Sequence, residues 1–278
     1  MIDKEKNIIE IENLKCVYPS SKKTALKIPR LNVLRNKITF VLGISGSGKS
    51  TLLETLGLMT NIFDNNSKIM IQPSLTNPQE RSFNYKNIWA NEKSISKFRD
   101  QYFSFIFQKI HLMKNFTNVE NIILFSIAQG ESKAVATEKA VKIAEDIGLN
   151  GIFDWNDYPN HLSGGQKERI AFVRAIITKY SLILCDEPTG NLDEITATKL
   201  LKTLKDEVIN NKKTALIVSH NLKFALDYAD QIIVLNKDGT IGENNIFNKT
   251  DSLGPNRWNE ISATNPFDRL VHLLGNNL

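Results

Sequence analysis

At 278 residues, with 41% hydrophobic and 23% charged residues, the chain has the composition of an ordinary globular protein, long enough to bury one large core or two small ones. Its two cysteines, Cys16 and Cys185, form no C-x-x-C pair, which argues against a disulfide scaffold or a cysteine metal site and for two small buried residues in a reducing compartment. The start, MIDKEKNIIEIENLK, is too charged for a signal peptide, no run approaches the roughly 18 apolar residues of a membrane span, and the net charge of +5 is dispersed among acids rather than gathered in a nucleic-acid-binding block.

Residues 7–17 (NIIEIENLKCV) and 38–42 (ITFVL) read as strands, the second an unbroken apolar run of the kind buried on both faces. Directly after it stands GISGSGKST, 43–51, and residues 50–59 read as a helix. The spacing is G-x-x-x-x-G-K-[ST]. Gly43, Gly46 and Gly48 carry no Cβ, so successive N–H groups can turn inward as an anion nest, and the helix beginning near Lys49 adds its positive dipole end. The ligand that fits is the phosphate tail of a nucleoside triphosphate. The bland alternative, a glycine-rich turn with an exposed lysine, is disfavoured by the strand before and the helix after.

From Asn61 to about Arg99 the composition shifts to Asn, Ser, Lys and Pro, and periodicity is lost. FSFIF, 103–107, reads as a strand ending at Gln108. Thr117-Asn-Val-Glu120 then has capping-box spacing before NIILFSIAQ, and AVATEKAVKIAEDIG has helical spacing, so 109 to about 160 is expected to be helical. Beyond it come a helix over 166–178, strand SLILC, a helix over 194–210, strand TALIV, a helix over 221–228, strand QIIVL, a turn at Asp238-Gly239 and a short last strand. Such alternation means a parallel sheet with helices on its faces, the helical block being inserted between the two halves. Residues 245–278 form a tail in which FDRLVHLL is a helix candidate.

A phosphate loop calls for a magnesium partner, because phosphate charge must be neutralised and held in line for transfer. Asp186 ends the strand in SLILCDEP, where a carboxylate can reach a metal held by the hydroxyl of Ser50. Glu187 follows and suits polarising an attacking water. Alone, the pair could be a mere solvated strand end, the lesser of the two readings and one the phosphate loop disfavours further. In HLSGGQKERIAFVRAI, 161–176, Ser163, Gly164 and Gly165 stand before an amphipathic helix and build a second anion site. One triphosphate could use both sites only if they faced each other, and spacing leaves open whether they do so within one chain.

GISGSGKST, FQ at 107–108, LSGGQ at 162–166, LILCDEPTGNLD at 182–193 and VSH at 218–220, in this order, resemble the ATP-binding cassette (ABC) ATPases over roughly residues 7–242, LSGGQ being the motif specific to that family among phosphate-loop proteins. The resemblance implies an α/β fold: a phosphate-loop NTPase core with a mostly parallel sheet, an antiparallel β subdomain and a helical subdomain inserted at about 109–178. The ABC ATPase domain would span 1–244, with 245–278 an extension of unknown role. Family members pair head to tail, each signature closing over the other's nucleotide. The implied cofactors are ATP and Mg2+. Gly43, Ser45, Gly46, Ser47, Gly48, Lys49, Ser50 and Thr51 would hold the phosphates, with Ser50, Asp186 and Gln108 at the metal. Glu187 would be the general base, Gln108 would also sense the partner surface, and His220 would bond the γ-phosphate. Tyr18 would stack on adenine. Ser163, Gly164, Gly165, Gln166 and Asp193 would reach the opposite protomer's site.

DEPTGNLD, with VRAI after the signature and TNVENI after the glutamine, is similar to the bacterial branch of lipoprotein-releasing, macrolide-exporting and cell-division ATPases. That likeness implies an ATPase subunit that dimerises on ATP and drives a separate membrane permease, in lipoprotein release or export. It would be cytoplasmic and peripheral at the inner face of the cell membrane, with no direct nucleic-acid partner. The alternative is a soluble cassette with a mechanical role in DNA repair or translation. Such relatives usually carry two cassettes, zinc-binding cysteines or long coiled coils, none of which is seen here. Three departures bear on the partner: the long segment after the first helix, KER in place of QQR, and the tail.

Overall fold

The apolar run at 38–42 becomes β3 (Ile38–Leu42), with all five residues buried. Its side chains alternate between two cores, Ile38, Phe40 and Leu42 facing one and Val41 the other, so a strand buried along its whole length is what the location demands, and its one polar side chain, Thr39, is satisfied by donating to Gln231 Oε1 at 3.0 Å. In the computed structural model, which describes residues 6–74, 82–149, 151, 154–249, 258 and 266–275, β3 pairs in parallel with β8 (Thr214–Ser219) on one side and β9 (Gln231–Val234) on the other. The six-stranded sheet continues through β7 (Leu182–Asp186) to β6 (Phe103–Ile106), both parallel, and ends beyond β9 with the antiparallel β10 (Ile246–Asn248).

A second, antiparallel sheet runs in the order β2 (Thr24–Leu34), β1 (Asn7–Val17), β4 (Lys68–Ile71), β5 (Phe83–Asn84). The helix α1 (Lys49–Leu56) shares a core with β1 and β2, contributing Leu52, Leu53 and Leu56. It ends earlier than the expected residue 59, because Gly57 caps it and Leu58 turns to φ 57°.

The segment from 61 to 99 holds β4, β5, α2 (Tyr85–Trp89) and the start of α3 (Glu92–Tyr102). Each short helix is opened by an asparagine cap: Asn84 accepts from the Lys86 amide and Asn91 from the Lys93 amide. Buried Tyr85 donates to the Leu56 carbonyl at 2.5 Å and so ties this segment to the end of α1.

Between β6 and β7 lie α4 (Asn118–Ala128), α5 (Lys133–Asp146) and α6 (Gly164–Ile176), which pack on one another and on one face of the sheet. Helix was expected from 109 onward, but residues 109–117 are not helical. The reason is Asn121, buried on the first turns of α4. Its Oδ1 accepts from the Met113 amide at 2.7 Å, and its Nδ2 donates to the carbonyls of Met113, Phe116 and Thr117 at 3.0, 3.1 and 3.0 Å. These bonds hold the stretch that follows Gln108 in a turn and satisfy groups a helix would otherwise pair.

The back half follows the expected alternation through α7 (Glu194–Asn210) and α8 (Leu222–Tyr228). Past the expected boundary at 244, β10 extends the main sheet, Trp258 bridges to Lys249, and α9 (Pro266–Gly275) buries Leu270 in the core shared by α6, α7 and α8. Both cysteines are buried, and burial pushes the Cys16 thiol up to about 11.

Replacing Asn121 with Ala is expected to leave several backbone groups of the 113–117 turn unsatisfied, lowering stability by about 1–3 kcal/mol. A shift of the urea midpoint checks this, and an unchanged midpoint would show that the turn stands without it.

Candidate nucleotide site

In the parallel register Leu42 pairs with Ser219 and Asp186 with Val218, so the carboxyl ends of β3, β7 and β8 lie at one edge of the sheet. The chain leaving them gives residues 43–51, all but Ser47 of which line one cleft of about 780 Å3 together with Glu187 and His220. Ligands of open α/β sheets sit at such edges.

The loop after β3 needs two left-handed residues, and glycine fills both: Gly46 at φ 79° and Gly48 at φ 99°. A Cβ on Gly48 would also lie 2.8 Å from the Ala25 carbonyl oxygen and 2.8 Å from Leu26 Cδ2. Gly48 is the cap of α1, so the helix's first amides open toward the cleft. Lys49 folds back to donate to the carbonyls of Gly43 (2.8 Å) and Ile44 (3.0 Å). Half-buried, its ammonium is held below the usual lysine range, with Glu187 and Asp186 opposing that shift.

Asp186 is held above the ordinary carboxylate range, chiefly by burial, then by the neighbouring Glu187 charge, while the Ser50 hydroxyl and Lys49 act against it. Glu187 adopts φ 49°, uncommon for a residue with a side chain. That turn is pinned by its amide donating to the Val218 carbonyl at 3.0 Å. Its Oε2 accepts from the Ser219 hydroxyl at 3.4 Å, and Oε1 lies 2.9 Å from His220 Nδ1. A carboxylate so held, facing the cleft beside an imidazole, can take a proton from water. Tyr18 lines the opposite wall, its hydroxyl 2.7 Å from that of Thr51, and Gln108 lines the cleft just past the end of β6.

Gly43, Ser45, Gly46, Gly48, Lys49, Ser50, Thr51, Tyr18, Gln108, Asp186, Glu187 and His220 thus share one cleft. Ser47 does not line it. Its side chain is buried, its hydroxyl has no hydrogen-bond partner, and its amide closes the loop onto the Ile44 carbonyl at 3.3 Å. Ser163, Gly164, Gly165, Gln166 and Asp193 are also outside the cleft. Ser163 and Gln166 form a reciprocal capping box at the start of α6, and Asp193 caps α7 by accepting from the Thr196 amide at 2.9 Å. These two helix starts adjoin, since Gly165 abuts Leu192, and Ser163, Gly164 and Asp193 are solvent-exposed. Sequence reasoning did not find Lys23, Thr24, Ala25, Ile44, Lys237, Asp238 and Leu274, which complete the lining. Among them Ile44 lies inside the phosphate-loop motif, Asp238 in the expected turn and Leu274 at the end of the FDRLVHLL helix candidate, but none of the three was marked as a cleft residue.

The donor set fits a triphosphate and a divalent cation: inward amides, a lysine, and a desolvated carboxyl beside a serine hydroxyl. Ser50 and Asp186 are the groups that could hold the cation.

A family model described as ABC transporter matches residues 26–190. The lipoprotein-releasing system ATP-binding protein LolD of Treponema denticola is 35% identical over 222 residues, 79% of this chain and 92% of the relative. The macrolide export ATP-binding/permease protein MacB of Rhodopirellula baltica is 33% identical over 223 residues, 78% of this chain but 30% of the relative. Among solved structures, the dimeric post-hydrolysis state of the ATP-binding cassette MJ0796 bound to ADP and Pi superposes with a TM-score of 0.72 at 28% identity, covering 84% of this chain and 97% of that one.

Gly48→Ala is expected to weaken nucleoside triphosphate binding by about tenfold or more, each ~1.4 kcal/mol of lost fit being a factor of ten. Titration calorimetry with ATP checks this, and wild-type affinity would refute the loop's role.

Proposed function

The chain belongs to the ABC transporter family, and from that membership we propose that it is the ATPase subunit of a transport complex, in which two cassettes close on ATP and act on a separate integral membrane permease. The observation that carries this reading is the division of the nucleotide-binding groups. The cleft of a single copy has the phosphate loop, the carboxylates, Gln108 and His220, while Ser163, Gly164, Gly165, Gln166 and Asp193 stand on a different exposed face. Two copies turned head to tail bring the second set over the first. The dimeric form of the MJ0796 cassette, a family relative, supports that arrangement.

In this reading Lys49 and the amides around it hold the phosphates, Tyr18 meets the base, and the Ser50 hydroxyl and Asp186, with Gln108 beside them, would hold Mg2+. When bound, the cation would neutralise phosphate charge and so ease departure of ADP. Glu187 orients and deprotonates the attacking water, and His220 stays with both Glu187 and the terminal phosphate. ATP bound between two copies stabilises only the closed pair, so binding and association are linked.

Among the described residues no helix is long and apolar enough to cross a membrane; the placement as a peripheral subunit at the inner face of the cell membrane is supported by relatives named as ATP-binding proteins of membrane transport systems. Support for a permease contact comes from a groove of about 570 Å3 beside Gln108. It presents Phe107, Met113 and Phe125, each more than a third exposed. Phe105 stacks on Phe107 at 5.6 Å, and Arg174 lies 5.6 Å over Phe125. An apolar floor flanked by Arg99, Arg174 and Asp100 suits an amphipathic helix of a partner. The named relatives belong to transport systems, lipoprotein release among them, which favours that cargo class over a soluble mechanical role.

Glu187→Gln is expected to keep ATP affinity, lose about a hundredfold or more in turnover, and accumulate as a dimer with ATP on size exclusion; hydrolysis at the wild-type rate would overturn the assignment. Because Asp186 retains its proton to higher pH than an ordinary aspartate and must lose it to bind a cation, apparent Mg2+ affinity should fall as pH is lowered. Magnesium titrations of ATPase rate at several pH values check the sign.

A further inference from the structure

The tail after residue 245 lies well beyond the family model's match, which ends at residue 190, yet Leu274 of α9 is among the residues lining the cleft. Leu270, fully buried, anchors α9 in the core, and Leu274 follows one helical turn later on the same stripe, half-buried, where that core gives way to the cleft. The helix packs against β9. The turn after β9 supplies the neighbouring wall, Lys237 and Asp238. That turn is tied in its own right to the segment carrying Thr24 and Ala25, with the Lys27 amide donating to the Gly239 carbonyl at 2.9 Å.

We infer that the last turn of α9 is a wall of the nucleotide site and that Leu274 makes an apolar contact with the base–ribose end of the bound nucleotide. This rests on the cleft's being the nucleotide site, as proposed above. The polarity of the helix selects that end of the ligand. A helix's C-terminal turn carries partial negative charge and disfavours phosphate. The uncharged sugar and purine are the portion that can lie against it, and a leucine offers them dispersion contact without a desolvation penalty.

The test is thiol labelling of Leu274→Cys with a maleimide, using ADP as the probe so that no turnover intervenes. Cys16 and Cys185 are buried, so the new thiol is the one that reports. The control is Val271→Cys, exposed on the same helix and outside the cleft lining. At ADP about ten times its Kd, where roughly nine-tenths of the sites are filled, labelling at 274 is expected to slow about tenfold while labelling at 271 is unchanged. Equal labelling with and without ADP overturns the inference, and so does protection that rises with protein concentration, which would mean that a second copy covers the residue. Thermal shift on the same samples separates the two levels. No ADP-induced shift would sink the cleft assignment itself, whereas a shift with an unprotected thiol removes only the role of α9. If Leu274→Cys folds poorly, Leu274→Ala read by ADP titration replaces it: binding about two- to fivefold weaker is expected from the lost apolar contact, and wild-type affinity would refute the contact.

Discussion

The cleft exists because β3 is hydrogen-bonded on both edges and buried on both faces. Parallel ladders to β8 and β9 leave that strand no freedom to shift, and the loop that follows inherits its position. A phosphate-binding loop is otherwise a poor structural element, rich in glycine and costly in conformational entropy. Here it is suspended between a rigid strand and the first turn of α1, with the Lys49 ammonium bonded back to two of its own carbonyls. The amides therefore point into the cleft before any ligand arrives, which is the preorganisation that electrostatic catalysis needs.

The same strand ends crowd negative charge. Asp186 and Glu187 are consecutive, and burial keeps the first from ionising easily. Lys49 is the cation nearest to hand, and it is itself desolvated. Charges arranged this way are uncomfortable without a further partner, and a nucleotide with its divalent cation relieves both signs at once. The division of labour proposed for the two acids follows their surroundings: Asp186 faces the Ser50 hydroxyl, Glu187 the imidazole of His220 and the hydroxyl of Ser219.

How much of this was legible in the residues depended on whether the cause was local. The strands at 7–17 and 38–42 and the helix at 194–210 coincide with β1, β3 and α7, because burial pattern and end signals are written within each segment. The strand β2 left no such mark. TALKIPRLNVL carries a proline and scattered basic residues, tolerable because it is an edge strand whose one neighbour in its sheet is β1, its other side meeting only a single bridge from Lys27 to Thr240. The elements between 61 and 99 are too short for periodicity, and their asparagine caps are informative only once the helices are known. The stretch at 109–117 looked helical because nothing in its composition announces that a side chain four to eight residues further on will hold it in a turn. Motif residues of the cleft were readable since their chemistry lies in the backbone that the glycines permit. Ala25, Lys237 and Leu274 were not, because they reach the cleft only through packing between distant segments.

One such local feature carries a further implication. Glu187 sits in a left-handed conformation that disfavours any side chain by roughly 1 kcal/mol, and the chain nonetheless keeps a glutamate there. With Glu187 in the role proposed for it, durability and turnover pull against each other at a single position. Selection for heat resistance alone would drift toward glycine or asparagine at 187, and the sturdier molecules it yielded would be inert.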